Sequence, residues 1–413
     1  MTRKIVWIAI SLFASNILLS QEPSRNPIDV KVFGLFQSWA LYEHGQEVWN
    51  NETAVYEPMD DRMIFLLRRS RAGIDVHYQD WVLFKTVLEL DLVGPAILGD
   101  PEKVKPADVG LLESFVKVRL KKGDLIQLTT GFFRPQISRE SITSAWNVNS
   151  MEKSATQTVI RKFLTGNPFG RAPGVNLGGR GTFDEFIHFR YDLGIFAPGH
   201  GYGGNGNNSP GWNSDILFSG RFSLELGDPE NSKYGLGHKI NYFGKRKGLS
   251  LAASGAVLTG DPGNRYAFGA DMLANAGSWQ MDGEIFYLVG NGEDPATNTT
   301  GHVRFGKNFS IGEKSYLQPF FLWGFLLGPT NNEDQAHAGQ QGMFAGEFSV
   351  IGAGMMYYFI PNRVAVTMQY TMHTGEAGDA GPGSTVNPYF FENGIGSIHR
   401  GNWLGMGIQL TLN

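Results

Sequence analysis

Residues 111–149, LLESFVKVRLKKGDLIQLTTGFFRPQISRESITSAWNVN, contain the pattern that decides the fold. They predict two strands joined by a turn at 122–123 and followed by an irregular polar segment. Apolar and charged residues alternate along the first strand with the two-residue period of β-structure. A soluble sheet is compatible with this alternation, but a membrane barrel requires it, because one face meets lipid and the other a wet lumen. One predicted face carries Leu112, Ser114, Val116, Val118 and Leu120, and the other carries Glu113, Lys117, Arg119 and Lys121.

The N-terminus has the layout of an export signal. Arg3 and Lys4 precede an apolar run at 5–13, which is too short to span a bilayer comfortably. We therefore predict a signal peptide at 1–20, cleaved on export, and a single domain at 21–413. The chain has no cysteine, so disulfides do not contribute to its stability. Loss of Arg3 and Lys4 would change the net charge from −4 to −6, and no nucleic-acid partner is expected for such a surface.

The rest of the chain repeats the two-residue alternation. Glycine is frequent (54 of 413 residues) and aromatic residues make up 13%. Glycine weakens most strands, but a large one-layer barrel accommodates it; a glycine-rich secreted β-sandwich is the alternative. Each alternating segment is long enough for a tilted strand across a bilayer, which predicts an all-β fold, a transmembrane antiparallel β-barrel of about 16 strands. The segments are 30–41, 62–77, 81–93, 110–121, 124–134, 172–181, 185–197, 213–226, 248–259, 265–276, 278–290, 300–309, 315–327, 346–359, 363–374 and 402–412.

The connections between these segments favour the barrel over the sandwich. Long connections such as 42–61, 94–109 and 135–171 alternate with short ones such as 78–80 and 182–184. Outer-membrane barrels have long loops at one end and short turns at the other, whereas a sandwich does not require long and short connections to alternate. Two connections depart from it. The link 260–264 is short where a long loop is expected, and 227–247 is long where a turn is expected, with a possible extra strand at 237–243.

Face assignments along the segments predict which residues meet lipid. In 62–77 the pattern places Ile64, Leu66, Ala72, Ile74 and Val76 on the lipid face, opposite Arg69, Arg71, Asp75 and His77. In 402–412 it places Leu404, Met406, Ile408, Leu410 and Leu412 on the lipid face. Five tryptophans near segment ends are candidates for the aromatic girdles at the two membrane interfaces. They are Trp39, Trp81, Trp279, Trp323 and Trp403.

Three stretches resemble the family of phosphate-selective porins O and P. They are 65–73 (FLLRRSRAG), 131–140 (GFFRPQISRE) with 151–154 (MEKS), and the pair 171–181 and 191–196. The resemblance covers about 65–197 and implies a sixteen-stranded trimeric porin of a bacterial outer membrane. It also implies that the third outside loop, 135–171, folds into the lumen and narrows it. The polar middle of this loop, 149–161, could hold a short helix.

Charged residues on the inner faces are the candidate pore lining. The basic candidates for contact with anions are Arg69, Arg71, Lys85, Lys117, Arg119, Arg161 and Lys162, and the acidic candidates are Asp75, Glu89, Asp91 and Glu113, with Glu152 in the loop. The fields of interleaved positive and negative side chains cancel over about 8–10 Å, so such a pore lining discriminates weakly between ions. The predicted function is passive diffusion of small hydrophilic solutes through the outer membrane, with anions such as phosphate as one class. The alternative is a surface barrel acting as an adhesin or structural protein through loops such as 42–61 and 375–401.

No other pattern predicts chemistry. His188 and His302 stand alone on strands and are interpreted as lumen or surface residues rather than metal ligands, and Ser397 beside His399 lacks an orienting partner. The loops 291–294 and 331–334 are rich in oxygen ligands suited to Ca²⁺, but flexible polar loops have the same composition. The glycine-rich stretch 199–208 lacks the residues of a phosphate-binding loop. We expect no enzymatic activity, no cofactor and no metal.

Overall fold

The computed structural model describes residues 27–50, 52–53, 55–95, 104–105, 108–121, 123–167, 169–198, 215–260, 263–376, 378–379, 390–393, 396–399 and 401–412. The predicted signal peptide at 1–20 and the stretch 199–208 lie outside these residues, as do the side chains of Ser397 and His399. None of the helices in the described part of the chain is long and apolar enough to cross a membrane.

Sixteen antiparallel strands form a closed barrel. Each pairs with the next along the chain, and the first closes the ring by pairing with the last from Gly34–Leu412 to His44–Asn402. The sixteen predicted segments are therefore confirmed. The strands are β1 (Ile28–His44), β2 (Arg62–Tyr78), β3 (Val82–Glu89), β4 (Gly110–Arg119), β5 (Gln127–Phe133), β6 (Ala172–Thr182), β7 (Ile187–Phe196), β8 (Leu217–Gly227), β9 (Lys247–Leu258), β10 (Asn264–Ala276), β11 (Trp279–Asn291), β12 (Ala296–Lys307), β13 (Ser315–Leu327), β14 (Glu347–Ile360), β15 (Val364–Glu376) and β16 (Asn402–Leu412).

The barrel has a long-loop end and a short-turn end, as the connections predict. Short strands, helices and a 3-10 turn lie at the two ends of the barrel. At the long-loop end, Glu47–Asn50, Val55–Pro58, Phe390–Asn393 and Gly396–His399 form a small sheet, and Gly94–Pro95 pairs with Val104–Lys105. Three helices lie in loops: α1 (Arg139–Ile142), α2 (Thr156–Thr165) and α3 (Asn332–Gln340). A 3-10 turn covers Ala145–Asn147, and Phe309–Ile311 pairs with β13 at the short-turn end.

The outer face of the barrel is apolar, as lipid requires. On β16 the outward residues are the five that alternation predicts, with exposed fractions from 39% at Leu404 to 73% at Leu412. Their neighbours Gln409 and Thr411 face the lumen and are buried. Because the sheet closes on itself, no strand edge has to be satisfied within the bilayer.

Two β-bulges change the predicted faces. Gln37 pairs with Arg69 but Ser38 pairs with Leu67, so Arg68 is an extra residue that reverses the alternation. Ile64 and Leu66 consequently point into the lumen and are buried, whereas Met63 and Phe65 face outward. The prediction of Ile64 and Leu66 as lipid-facing was wrong for this reason.

The second bulge lies between β3 and β4. Val87 pairs with Glu113 and Leu88 with Leu111, which leaves Leu112 as the extra residue. Leu112 is only 4% exposed, so its predicted place on the lipid face was also wrong. A single inserted residue moves every side chain before it to the other face, which alternation alone does not reveal.

The aromatic girdle is clearest at the short-turn end. Of the five predicted tryptophans, Trp81, Trp279 and Trp323 are exposed on the outer face. Trp39 is 6% exposed and packs in the lumen with Leu41, and Trp403 packs against the same cluster, so these two are not girdle residues. Other exposed aromatic residues complete the short-turn girdle: Tyr78, Phe183, Phe186, Phe309 and Phe359.

Two segments fill much of the lumen. The constriction loop, defined as 134–171, enters from the long-loop end and carries α1 and α2, which confirms the predicted inward fold of 135–171 and its helix. The inner segment, defined as 228–246, enters from the short-turn end. The predicted strand at 237–243 is not formed; in this described stretch His238 makes an isolated bridge with Thr143 of the loop. The unusual length of 227–247 is explained by this insertion.

Candidate channel and constriction

The root of the constriction loop is held against the lumen wall by a buried ion network. Arg139 is fully buried, with Nη2 2.7 Å from Glu230 Oε1 and Nε 2.8 Å from Asp271 Oδ1. Arg221 of β8 donates to the same Asp271 at 2.8 Å. Arg139 therefore joins the loop to both the inner segment and β10. Burial by itself lowers the pKa of Arg139, but Glu230 and Asp271 raise it well above its usual value.

The next residue of the loop enters a second buried network. Glu140 Oε1 accepts from Arg304 Nη2 at 2.7 Å, and Arg304 Nη1 lies 3.1 Å from Asp282 Oδ2. Burial raises the pKa of Glu140, but Arg304, His302 and Lys153 outweigh it and hold the pKa at about 2. Ser138 donates to Glu284 at 2.8 Å, which fixes the loop to β11.

Glu140, Asp282 and His302 lie close enough together to share a metal ion. Arg304 already donates to both carboxylates, however, so a cation placed there would face a guanidinium. This cluster is better explained as a structural ion network. His302 and His188 are both buried in the lumen, where His188 contacts Thr182 Oγ1 at 3.0 Å.

The tip of the loop crosses the lumen to β2. Glu152 accepts from Arg68 Nε at 2.7 Å and from Arg69 Nη2 at 2.6 Å. The β-bulge at Arg68 allows two consecutive arginines to reach one carboxylate. Burial raises the pKa of Glu152, but Arg68 and Arg69 lower it well below its usual range. Met151 beside it packs with Trp39 and the other apolar residues of the inner wall.

A basic cluster lies between the loop and β5. Among the described residues, the Lys153 ammonium donates to the main-chain oxygens of Glu140 and Ser141, and Arg161 Nε donates to Ser141 Oγ at 3.0 Å. Among the described residues, Arg134, Lys153 and Arg161 form no ion pair with a carboxylate. Burial and the neighbouring cations lower the pKa of all three, that of Arg161 to about 9. Arg171 belongs to the same group but has Glu113 at 3.5 Å. We call Arg134, Lys153 and Arg161 the unpaired basic cluster.

Solvent reaches the lumen wall mainly along β2, β3 and β4. Side chains there are partly exposed, 23% for Asp75, 19% for Lys85 and 23% for Arg119. They form a ladder of pairs across neighbouring strands, which keeps each charge partly neutralised. The pairs are Lys85 with Asp75 at 3.0 Å, Arg71 with Asp91 and with Glu89 at 3.4 Å, and Arg119 with Asp124 at 3.7 Å.

The opposite wall is closed off. Inward residues of β7 to β15 are buried beneath the constriction loop and the inner segment. Because these side chains are inaccessible, the open part of the lumen lies beside β2–β4 rather than on the barrel axis. The buried inward residues include Asp192, Arg221, Ser223, Asp271, Arg304, Gln318 and Gln369.

The predicted lining residues fall into three groups. Arg71, Lys85, Lys117, Arg119, Asp75, Glu89 and Glu113 lie on the partly exposed wall. Arg69, Asp91 and Arg161 are buried in ion pairs or in the basic cluster. Lys162 is separate, with Nζ 5.3 Å from the Phe344 ring centroid.

Sequence reasoning missed several residues of the constriction. Arg68, Arg134, Arg139, Glu140 and Lys153 all lie in the stretches 65–73, 131–140 and 151–154, whose density of charge was the available signal. The inner segment was visible only as an over-long turn. It reaches the open wall, where Lys117 Nζ donates to the Tyr234 main-chain oxygen at 3.0 Å.

No family model and no curated protein matches the chain. Solved structures of similar fold include the outer membrane channel DcaP of Acinetobacter baumannii, with 12% identity, a TM-score of 0.53 and coverage of 95% of this chain and 100% of that one. An anion-selective porin from Comamonas acidovorans has 12% identity, a TM-score of 0.54 and coverage of 93% and 100%. Salmonella typhi OmpF has 12% identity, a TM-score of 0.52 and coverage of 93% and 97%. At this identity the similarity establishes a porin-type barrel fold.

Proposed function

We propose that this protein is an outer-membrane porin through which small hydrophilic solutes diffuse passively. The observation that carries the proposal is the partly exposed ladder of charges on β2–β4, facing a lumen that the constriction loop and the inner segment otherwise largely fill. A charged, water-accessible strip beside a narrowing loop is what a size-limited aqueous path requires. Three observations support the proposed location in the outer membrane. They are the apolar outer face, the predicted export signal at 1–20, and the similarity in fold to solved structures described as an outer membrane channel and a porin.

Planar-bilayer recording tests the channel. The folded full-length mature protein should give discrete conductance steps in KCl. A barrel that acts only as an adhesin or a structural surface protein, the alternative function, would insert without such steps. Heat-modifiable gel mobility of the same sample establishes that the barrel was folded. The absence of conductance steps from such a sample would therefore count against the channel.

We further propose a preference for anions, of which phosphate is one candidate. The three members of the unpaired basic cluster form no ion pair with a carboxylate among the described residues, so their positive charge is less completely neutralised than that of the wall ladder. Glu113 near Arg134, and Glu140 near Lys153 and Arg161, offset part of it. Arg171 of the same group lies 3.5 Å from Glu113 of the partly exposed wall, so the field of the cluster acts on an anion that passes along that wall. The anion-selective neighbour supports the proposal only as a fold relative.

The reversal potential in a KCl gradient measures this preference. The parent should favour chloride, and Arg134→Gln combined with Lys153→Gln should reduce the chloride-to-potassium permeability ratio severalfold. Lys314→Gln removes an exposed charge from the turn before β13 and should leave the ratio unchanged. A cation-selective parent, or equal ratios in parent and double variant, would contradict the anion preference.

We also propose that the protein assembles as a homotrimer, as the resemblance of 65–197 to phosphate-selective porins implies. The partners of each subunit are then outer-membrane lipid and two further copies of the chain.

A further inference from the structure

Two aromatic side chains, Phe33 of β1 and Trp146 of the constriction loop, meet at the open wall of the lumen. Their ring centroids lie 6.4 Å apart, with an angle of 61° between the ring planes. Both side chains are partly exposed, and neither belongs to a buried apolar cluster of the described residues. Packing of a buried core therefore does not account for these two rings, which we call the aromatic pair.

The barrel wall leaves room for the ring of Phe33. Phe33 pairs with Gly73 of β2, and a β-carbon added at Gly73 would lie only 2.4 Å from Phe33 Cζ. Because glycine has no side chain, the ring lies directly on the inner surface of β2, beside the ladder of charges. A larger residue at position 73 would push the ring away from this wall.

The main chain at Trp146 is held from two sides. Trp146 lies in the 3-10 turn Ala145–Asn147, and its carbonyl oxygen accepts from Gln409 Nε2 of β16 at 3.3 Å. The oxygen of Asn147 accepts from Ile240 N of the inner segment at 3.2 Å. The indole is therefore positioned by its backbone while its side chain stays partly exposed. A ring fixed in this way loses little conformational freedom when a solute packs against it.

A charged pair adjoins the aromatic pair. Lys85 Nζ lies 4.0 Å from the ring centroid of Phe33 and 3.0 Å from Asp75 Oδ1. An ammonium group has three donors, so Lys85 can bind Asp75 and a second carboxylate together. A carboxylate bound to Lys85 would lie beside the ring of Phe33, at a distance that one small molecule with a ring and a carboxylate can span.

The aromatic pair lies on the proposed path of solutes. On β2, Gly73 lies between Arg71 and Asp75 of the partly exposed wall and is four residues, or about 13 Å, from Arg69. Arg69 contacts the tip of the constriction loop through Glu152. A solute that moved from there towards the short-turn end would meet the aromatic pair first and Lys85 next.

We propose that Phe33, Trp146 and Lys85 form a binding subsite for small aromatic carboxylates inside the pore. The ring of the solute packs against the aromatic pair, and its carboxylate accepts hydrogen bonds from Lys85. Asp75 shares the same ammonium and repels the carboxylate, so the solute is held weakly enough to leave, as conduction requires. The inference rests on the proposed porin function and names a class of solute for the same path.

Block of the KCl current by added solutes tests the subsite. In planar bilayers, benzoate should halve the conductance of the folded mature protein at a severalfold lower concentration than acetate or benzamide. Acetate lacks the ring, and benzamide lacks the charge. Equal half-blocking concentrations of benzoate and acetate would overturn the proposal, and so would equal values for benzoate and benzamide.

Replacement of the indole identifies the residue responsible. Trp146→Ala should raise the half-blocking concentration of benzoate severalfold and leave that of acetate unchanged, whereas Trp146→Phe should stay close to the parent. Trp323→Ala is the control, because it removes an exposed tryptophan from the outer face of β13 and should leave benzoate block unchanged. A benzoate value in Trp146→Ala equal to that of the parent would contradict the subsite.

A second variant covers the case in which Trp146→Ala does not fold, as judged by heat-modifiable gel mobility. Phe33→Leu keeps an apolar side chain on Gly73 but removes the aromatic face, so the preference for benzoate over acetate should fall severalfold. An unchanged preference would overturn the proposal. A parent without conductance steps would contradict the proposed function itself, whereas a conducting parent that does not prefer benzoate would contradict the subsite alone.

Discussion

Arg139 is the residue on which the position of the constriction loop depends most. Its guanidinium is the one group in the described structure that contacts both Glu230 of the inner segment and Asp271 of β10. Charges buried this completely are tolerated only when each is paired and hydrogen-bonded. Arg139 therefore anchors the first turn of the constriction loop to the inner segment and to β10.

Replacing Arg139 with methionine should lower the free energy of unfolding by about 3–5 kcal/mol, because Glu230 loses its guanidinium partner while remaining buried. Urea unfolding of the detergent-folded protein, followed by tryptophan fluorescence, measures the change. Arg363→Gln, at an exposed turn position, is the matched control and should change stability by less than about 0.5 kcal/mol. Equal stability of Arg139→Met and the parent would show that the ion network does not hold the loop.

His238 should make stability depend on pH. Burial, and secondarily Arg190, lowers its pKa to about 4, although Glu230 at 2.8 Å opposes the shift. The unfolded chain has a His pKa of about 6.5, so it binds the proton more readily than the folded protein. Stability should fall as the pH drops from about 6.5 to about 4, by on the order of 1–3 kcal/mol from this group, and stay level above 6.5.

His238→Gln should flatten this dependence between pH 6.5 and 5, a range in which Glu230 remains ionised in both states. Unfolding curves at several pH values compare the variant with the parent. An unchanged pH slope in the variant would mean that His238 is not the group that titrates.

At the scale of elements, the lumen is divided between two inserted segments. The constriction loop and the inner segment contact each other directly: Ile240 N donates to Asn147 O at 3.2 Å, and Asn147 Nδ2 donates to His238 O at 3.3 Å. Val148, Ile240 and Leu273 bury a small apolar cluster at the same place. Each segment therefore limits the movement of the other, and both together confine the open path to one wall.

Shortening the inner segment should widen the path. Replacing 229–245 with a two-residue turn like that at 277–278 should raise the single-channel conductance by roughly a factor of two, since conductance rises with the open cross-section. Replacing the exposed turn 312–314 with a two-residue turn is the control and should have no effect. Conductance that stays at the parent value after the first change would show that the inner segment does not narrow the path.

The strands were predictable because three of their signs are local properties of the sequence. These are the alternation of apolar and polar residues, the length of each segment, and the alternation of long and short connections. β16 illustrates this, with all five outward residues as expected. The faces of Ile64, Leu66 and Leu112 were not predictable, because a bulge depends on the partner strand as well as on its own residues. The inner segment escaped prediction for the same reason, since Glu230 meets Arg139 and Asp271 only across the folded lumen.

At the scale of the whole molecule, the barrel is asymmetric. The inner wall formed by β7 to β15 carries buried ion networks. The inner wall formed by β2 to β4 carries the partly exposed ladder of Asp75, Lys85 and Arg119. The proposed path of solutes runs along this ladder.

Cysteine modification during single-channel recording tests this path most directly, because the native chain has no cysteine. A negatively charged methanethiosulfonate reagent should reduce the conductance of Lys85→Cys in discrete steps, since residue 85 faces the open path. The same reagent should leave Ser223→Cys unchanged, because this nearly isosteric substitution lies on β8 beneath the inserted segments, where Ser223 is 1% exposed. A stepwise loss of conductance in Ser223→Cys and none in Lys85→Cys would place the solute path on the opposite side of the barrel and contradict the proposed path.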